Sequence, residues 1–152
     1  MPATTHDLLP GDPHSASSPP ATTALHPLSQ HDALPSCVIA LESNTTGYFN
    51  TANGYQALVN NTAGNKNTAS GYQALFSNAV ADFNTANGYQ ALFNNTNGIN
   101  NTAVGFRALF NNTIGVQNTA TGFNALFHNT AGEANTAHGR EALFNNTMGS
   151  NN

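Results

Sequence analysis

"NTANGYQALVNNTAGNK", residues 50–66, decides how this chain is read, because the phrase returns without a gap as "NTASGYQALFSNAVADF" (67–83), "NTANGYQALFNNTNGIN" (84–100) and "NTAVGFRALFNNTIGVQ" (101–117). Six copies begin at Asn50, Asn67, Asn84, Asn101, Asn118 and Asn135, a period of 17 residues. Counting from the first letter, Asn at column 1, Thr at 2, Ala at 3, Gly at 5, Ala at 8, Leu at 9 and Asn at 12 never change. Column 10 is Val59 and then Phe76, Phe93, Phe110, Phe127 and Phe144, while column 6 runs Tyr55, Tyr72, Tyr89, Phe106, Phe123, Arg140. Columns 4, 14, 16 and 17 drift between polar and apolar, as solvent-facing sites do.

A unit this short cannot bury its own apolar face, so the copies must cover one another. The expected fold is all-β: a parallel β-solenoid, or β-roll, of 17-residue coils in which each coil bonds to those above and below. Strand spacing sets the rise at about 4.8 Å per coil. Equivalent residues then stack on their twins, and the amides of an Asn column can donate and accept along the stack without any charge. An ionised residue in a strict column would face a like charge on the next coil. Gly54, Gly71, Gly88, Gly105, Gly122 and Gly139 mark one corner of the coil, and the near-invariant glycine of column 15, replaced once by Ala81, marks a second. The phrase thus divides into two halves, NTAxG and NTxG, expected to supply two short extended segments and two corners.

The middle, "GYQALFNN", reads two ways. Its apolar columns 6, 9 and 10 have the spacing of a helical turn, and Gln, Ala and Leu favour helix. A helix is about 10 Å thick, however, so one helix per coil would splay the stack into a curved, helix-containing scaffold. The invariant alanines suit close stacking, and a strand or irregular turn is preferred, with a short helical turn per coil left open. If the segment is extended, alternation puts Leu58, Leu75, Leu92, Leu109, Leu126 and Leu143 on the side away from the coil's interior. Seven such leucines, counting Leu41, at about 1.5–3 kcal/mol each outweigh the cost of association over most of its range. That stripe predicts self-association.

Composition closes several routes. Charged residues are 7% of the chain and the net charge is −4; Lys66, Arg107 and Arg140 cannot form a phosphate-binding stripe, so nucleic acid is not an expected partner. No run approaches the ~20 apolar residues that cross a bilayer, which argues against membrane insertion. Cys37 is the single cysteine and has no partner for a disulfide or a zinc site. His128 and His138 occupy variable columns, the seven acidic residues form no repeated column beyond the pair Asp82 and Glu133, three coils apart, and "TAGNK" lacks the ending of a phosphate loop. No catalytic, metal-binding or cofactor-binding residue is therefore assigned, and no enzyme is expected.

The chain has two unlike parts. All seven prolines lie at or before Pro35 and no Asn precedes Asn44. Residues 1–36 are read as a disordered or non-native Pro/Ser/His-rich tail, in which "LSQHDALPS" resembles translated adaptor sequence. Residues 37–49 are a degenerate half-repeat, with Ala40, Leu41, Asn44, Thr45 and Gly47 in register, and 50–152 are the six repeats. Stacked repeats need polar end caps, and none is evident, so a longer array is expected. Nothing in the tail has the shape of a secretion signal.

The paired NTxG half-phrases and uncharged columns from Ala40 to Asn152 resemble the YadA-like head repeats of trimeric autotransporter adhesins. They also resemble the NTAxGxxALxxNTxG arrays of tail-fibre-type proteins. The unit here is longer than that of the adhesin heads, and no stalk, anchor or fibre-chaperone segment is present. The resemblance implies three chains packed side by side as a homotrimer. It also implies an extracellular, cell-surface or virion-fibre location, a shaft or adhesive role, and a host-surface or matrix receptor as partner. A rival reading takes Thr51, Thr68, Thr85, Thr102, Thr119 and Thr136 as the column of an ice-binding face, against the plainer view that the threonines of columns 2 and 13 satisfy corners by local hydrogen bonds.

Overall fold

The computed structural model describes residues 39–152; the tail and the first two residues of the half-repeat lie outside the described residues. Each copy contributes one three-residue strand at columns 2–4: β1 (Thr51–Asn53), β2 (Thr68–Ser70), β3 (Thr85–Asn87), β4 (Thr102–Val104), β5 (Thr119–Thr121) and β6 (Thr136–His138). These form one six-stranded parallel sheet in the order β1-β2-β3-β4-β5-β6. Thr51 pairs with Thr68, Ala52 with Ala69, and so on without slippage through Thr121 and His138. The strand forms because β-branched Thr and an outward column 4 flank an inward Ala; β3 is exposed, buried, exposed. The chain is a β-solenoid of 17-residue coils, and the side-chain bonds between neighbouring coils recur at that spacing.

Strands stop after three residues because of column 5. Gly88 has φ +141°, a region that L side chains rarely adopt, and a Cβ there would collide with the carbonyl of Gly105 on the next coil. Beyond the glycine the chain turns instead of extending. The Ala57 amide donates to the Gly54 carbonyl at 3.2 Å, and Gln56 between them has φ +54°, as a type II turn requires at that position. Leu58 follows at φ +52°, and the Asn61 amide closes a second turn on the Leu58 carbonyl at 3.1 Å. The same left-handed values recur at Gln73 and Leu75, Gln90 and Leu92, Arg107 and Leu109.

The YQALF segment is thus an irregular turn, the second form that the non-helical reading allowed, and neither a strand nor a helix. Among the described residues there is no helix, which removes the curved helix-containing scaffold. The consequence for leucine is direct. Left-handed residues at columns 7 and 9 break the alternation of an extended chain, so columns 8 and 9 both point inward. Leu58, Leu75, Leu92, Leu109 and Leu126 are each 0% exposed and form the centre of the core with the alanines of columns 3 and 8. Holding a leucine left-handed costs about 1–2 kcal/mol, and burying it returns about 1.5–3 kcal/mol, so the core accounts for the conformation. Leu143 is partly exposed at 37%. The expected exterior leucine stripe does not exist.

The NTxG half makes no strand either. The amides of Thr113, Ile114 and Gly115 all donate to the Thr130 carbonyl of the next coil, at 3.1, 3.0 and 3.2 Å. The Thr113 hydroxyl adds a fourth bond to the same oxygen at 3.0 Å. The half-repeat joins the stack in the same way: Leu41 donates to Ala57, and Thr45, Thr46 and Gly47 to Thr62.

Candidate functional site: the stacked columns

Two asparagine ladders run through the interior. In column 1 the Asn84 backbone amide donates to Asn67 Oδ1 at 2.9 Å and its Nδ2 to the Gly98 carbonyl at 2.8 Å. Asn84 Oδ1 in turn accepts from the backbone amide and Nδ2 of Asn101, at 3.0 and 3.2 Å. Asn67, Asn84, Asn101, Asn118 and Asn135 are fully buried, with Asn50 half-buried at the first full coil. In column 12, Asn95 Nδ2 donates to Asn78 Oδ1 at 3.0 Å and to the Gly98 carbonyl at 2.9 Å, while its Oδ1 accepts from Asn112 Nδ2 at 2.9 Å. A buried amide left unpaired would cost about 1–3 kcal/mol; asparagine matched to asparagine repeats the same satisfied geometry at each layer.

The column 12 ladder was not singled out by sequence as a functional column, although its invariance was as strict as that of column 1. Gly54, Gly71, Gly88, Gly105 and Gly122 sit where a Cβ would collide with the backbone of the next coil, and Gly139 has open space around it.

The surface is built from three further ladders. Column 7 starts with glutamines, Gln73 Nε2 donating to Gln56 Oε1 at 2.7 Å and Gln90 Nε2 to Gln73 Oε1 at 2.9 Å. Arg107 continues it by donating from Nε to Gln90 Oε1 at 2.9 Å. It breaks at Asn124, one methylene shorter than Gln, whose Oδ1 is buried without a partner. On one side of this row the column 6 rings of Tyr55, Tyr72, Tyr89, Phe106 and Phe123 stack at 5.0–5.4 Å between centroids and within 13° of parallel. On the other side Phe76, Phe93, Phe110, Phe127 and Phe144 stack at 4.9–5.3 Å. Arg107 ties the two ladders together, its guanidinium lying 5.9, 5.2 and 5.2 Å from the Tyr89, Phe106 and Phe110 rings.

The threonines separate into two roles. Thr45, Thr62, Thr96, Thr113 and Thr130 of column 13 donate their hydroxyls to carbonyls of the next coil, as the corner reading expects. Thr51, Thr68, Thr85, Thr102, Thr119 and Thr136 of column 2 lie on the parallel sheet instead, exposed or half-exposed, and so do not serve a corner. The outward neighbours at column 4 are Asn53, Ser70, Asn87, Val104, Thr121 and His138, a mixed row.

The candidate chemical residues stay apart. His138 is exposed on β6, whereas His128 meets the Phe127 and Phe144 rings edge-on at 4.8 and 4.9 Å. Among the described residues no three His, Cys, Asp or Glu side chains gather where they could hold a metal ion, and no helix is long and apolar enough to cross a membrane. Asp82 has a structural role, its Oδ1 accepting from the Asn65 backbone amide at 2.6 Å and from Asn65 Nδ2 at 3.1 Å. No protein-family model, curated protein or solved structure matches the chain.

Proposed function

We propose that this array is a non-catalytic shaft or adhesive segment of an extracellular fibre or surface adhesin, working as a side-by-side homotrimer that presents its repeated outer columns to a host-surface or matrix receptor. The observation that carries this reading is the unbroken interior amide stack. Asn61, Asn78, Asn95, Asn112, Asn129 and Asn146 bond each to the next along the whole array. A protein held by satisfied layer-to-layer bonds and nearest-neighbour burial gains length and stiffness by adding identical units, which is what a shaft needs. Its exposed columns repeat at a fixed step, so a weak contact made by one coil is made again by the next, and weak contacts multiply. The likeness of the NTxG half-phrases to adhesin-head and tail-fibre repeats supports the same setting. Histidine never recurs in a column, carboxylates share one only at Asp82 and Glu133, three coils apart, and no reaction is assigned to the chain.

Two measurements test it. Sedimentation equilibrium on the full chain is expected to give a mass three times that of the 15.8 kDa protomer; a monomer at micromolar concentration overturns the trimer. Latex beads coated with the protein are expected to be retained on surfaces coated with collagen, fibronectin or mucin more than albumin-coated beads. Equal retention on all three removes the adhesive role and leaves the shaft.

A second reading is favoured by one observation. The column 2 threonines stand in register on a parallel sheet, exposed or half-exposed, where an ice-binding face would need them. Thermal hysteresis in the full chain, abolished by Thr85→Lys, would establish it, and its absence at millimolar protein discards it.

A further inference from the structure

Leucine was expected to hold copies together, and it is consumed by the core. What the exterior offers in its place is aromatic. We propose that the two ring ladders, columns 6 and 10, form one face through which copies of this chain associate side by side, parallel and in register. This rests on the reading that the array self-associates and identifies the surface that does it.

Column 6 is kept aromatic in five of six copies although Tyr72, Tyr89, Phe106 and Phe123 are 41, 40, 38 and 43% exposed. Apart from the threonines of column 2, which build the strand, other exposed columns vary freely. Column 14 passes through Ala63, Val80, Asn97, Ile114, Ala131 and Met148, and column 17 through Lys66, Phe83, Asn100, Gln117, Ala134 and Asn151. Stacking within the chain accounts for part of the constancy, at about 0.5–1.5 kcal/mol per ring pair, but a ring could stack without being left open to water on its outer edge.

The area suits a partner. An aromatic side chain carries about 150–250 Å², so five column 6 rings at the observed exposure present on the order of 400 Å², and the half-buried column 10 rings bring the face to about 600 Å². Patches larger than a few hundred Å² on a monomer mark interaction sites, and specific interfaces bury about 800 Å² per partner with weaker ones below that. The face therefore stands at the lower end of what one stable contact uses.

Periodicity selects the occupant. Rings stand at steps of 5.0–5.4 Å along column 6, and only a partner with the same step can meet every ring in the same way. A second copy in parallel register has that step by construction. Charge does not oppose it, because Arg107, the one cation within the face from Tyr55 to Phe127, lies over its own rings and donates to Gln90 instead of projecting outward. Arg140, which replaces the ring in the sixth copy, marks where the column 6 ladder ends.

The test uses the full chain and sedimentation equilibrium, with circular dichroism to confirm the fold. Tyr89→Glu puts one carboxylate per chain at an exposed position of the face, and parallel register brings those of neighbouring copies to one height. The expected result is at least a tenfold rise in the dissociation constant at pH 7, largely reversed below the ordinary Glu pKa of about 4.3. Thr85→Glu on the sheet face is expected to leave assembly unchanged. If the unmodified chain is monomeric, the self-association reading fails and this proposal with it. If it assembles but Tyr89→Glu assembles equally well, the aromatic face is overturned while self-association stands. Should Tyr89→Glu not fold, Tyr89→Cys in a Cys37→Ser background gives the answer on mild oxidation. Disulfide-linked dimers forming faster than with Thr85→Cys support the face, and equal or slower formation overturns it.

Discussion

The strand half of each coil and its corner half begin with the same two letters, Asn-Thr, yet they are held by different means. In the strand half, backbone pairs with backbone: the Thr85 amide donates to the Asn101 carbonyl at 2.8 Å, and the Gly88 amide to the Ser70 carbonyl at 2.8 Å. Such bonds ignore the outward side chain, so column 4 carries Asn, Ser, Val, Thr or His without disturbing the register. In the corner half, three amides and a hydroxyl converge on one carbonyl oxygen, and a buried asparagine braces the turn from inside. That geometry depends on particular side chains. The coil "SNAVADF" shows the difference, for it keeps β2 intact while Ala79 and Ala81 replace the corner Thr and Gly, and the amides of Ala79, Val80 and Ala81 make no convergent set on Thr96. Side-chain-dependent structure is the part of this fold that mutation can break locally.

The strongest way to break the comparison is to disable the corner's brace while leaving the strand untouched. Asn95→Asp removes both Nδ2 hydrogen bonds, orphaning Asn78 Oδ1, leaving the Gly98 carbonyl with only its bond from Asn84 Nδ2, and placing a carboxylate where burial is complete. The expected loss is about 4 kcal/mol or more at pH 7, read as a lowered urea midpoint. Burial raises the carboxyl pKa in the folded state above its unfolded value of about 3.9. The deficit is therefore smallest below that unfolded value and grows as pH rises through the raised folded value. A variant equally unstable at pH 3 and pH 7 contradicts the charge argument.

Leu92 belongs to both halves, since its carbonyl receives the Asn95 amide at 3.2 Å and its side chain packs in the core shared with Ala86 of the strand. Leu92→Ala is expected to cost about 3 kcal/mol through the cavity it leaves. Its oligomeric state should match that of the unmodified chain under conditions where both are folded. An exterior leucine stripe would give the opposite pattern, with unchanged stability and lost assembly.

The leucines also mark the limit of what the residues could tell. The 17-residue coil, the parallel in-register stack and the amide ladders were legible because repetition exposes columns, and a column of buried Asn has few physical solutions. Which way column 9 faces was not legible, because it depends on left-handed backbone at Gln90 and Leu92, φ +52° at both. Gln and Leu carry no local signal for that conformation. Neighbouring coils impose it, through the bonds from Gln90 to the Tyr72 carbonyl and from Leu92 to the Ala108 carbonyl. For the same reason the NTxG half, whose letters resemble those of the strand half, was expected to extend and instead folds into a corner. The aromatic face lay in plain sight as column 6, but its side of the coil followed only once the leucine had turned inward.

A glycine pair sharpens the contrast at lower cost. Gly88 is left-handed and faces the Gly105 backbone, whereas Gly98 lies outside the left-handed region and a Cβ on it would meet the Asn95 and Asn112 amides as well as the Gly115 carbonyl. Gly88→Ala is expected to cost about 3 kcal/mol, combining strain with collision against backbone. For Gly98→Ala the expectation is about 1–2 kcal/mol, because Ala81 already occupies the equivalent place. Equal losses in chemical unfolding would mean that the two corners are alike after all.

The smallest effect is a gain. Ala79→Thr combined with Ala81→Gly rewrites the second coil's corner in the letters of the others. The new hydroxyl is expected to donate to the Thr96 carbonyl, as Thr96 donates to Thr113 at 3.0 Å, and removing the Ala81 methyl lets the three amides close on the same oxygen. Each added bond is worth about 0.5–1.5 kcal/mol, and the added glycine gives back about 0.4–1 kcal/mol through the unfolded chain. A net stabilisation of at least about 1 kcal/mol follows, with slower amide hydrogen exchange confined to residues 79–81. Ala81→Gly alone should then show a smaller gain, since it frees the amides without supplying the hydroxyl. If the double variant is less stable than the parent, the convergent corner is a by-product of stacking and not one of its supports.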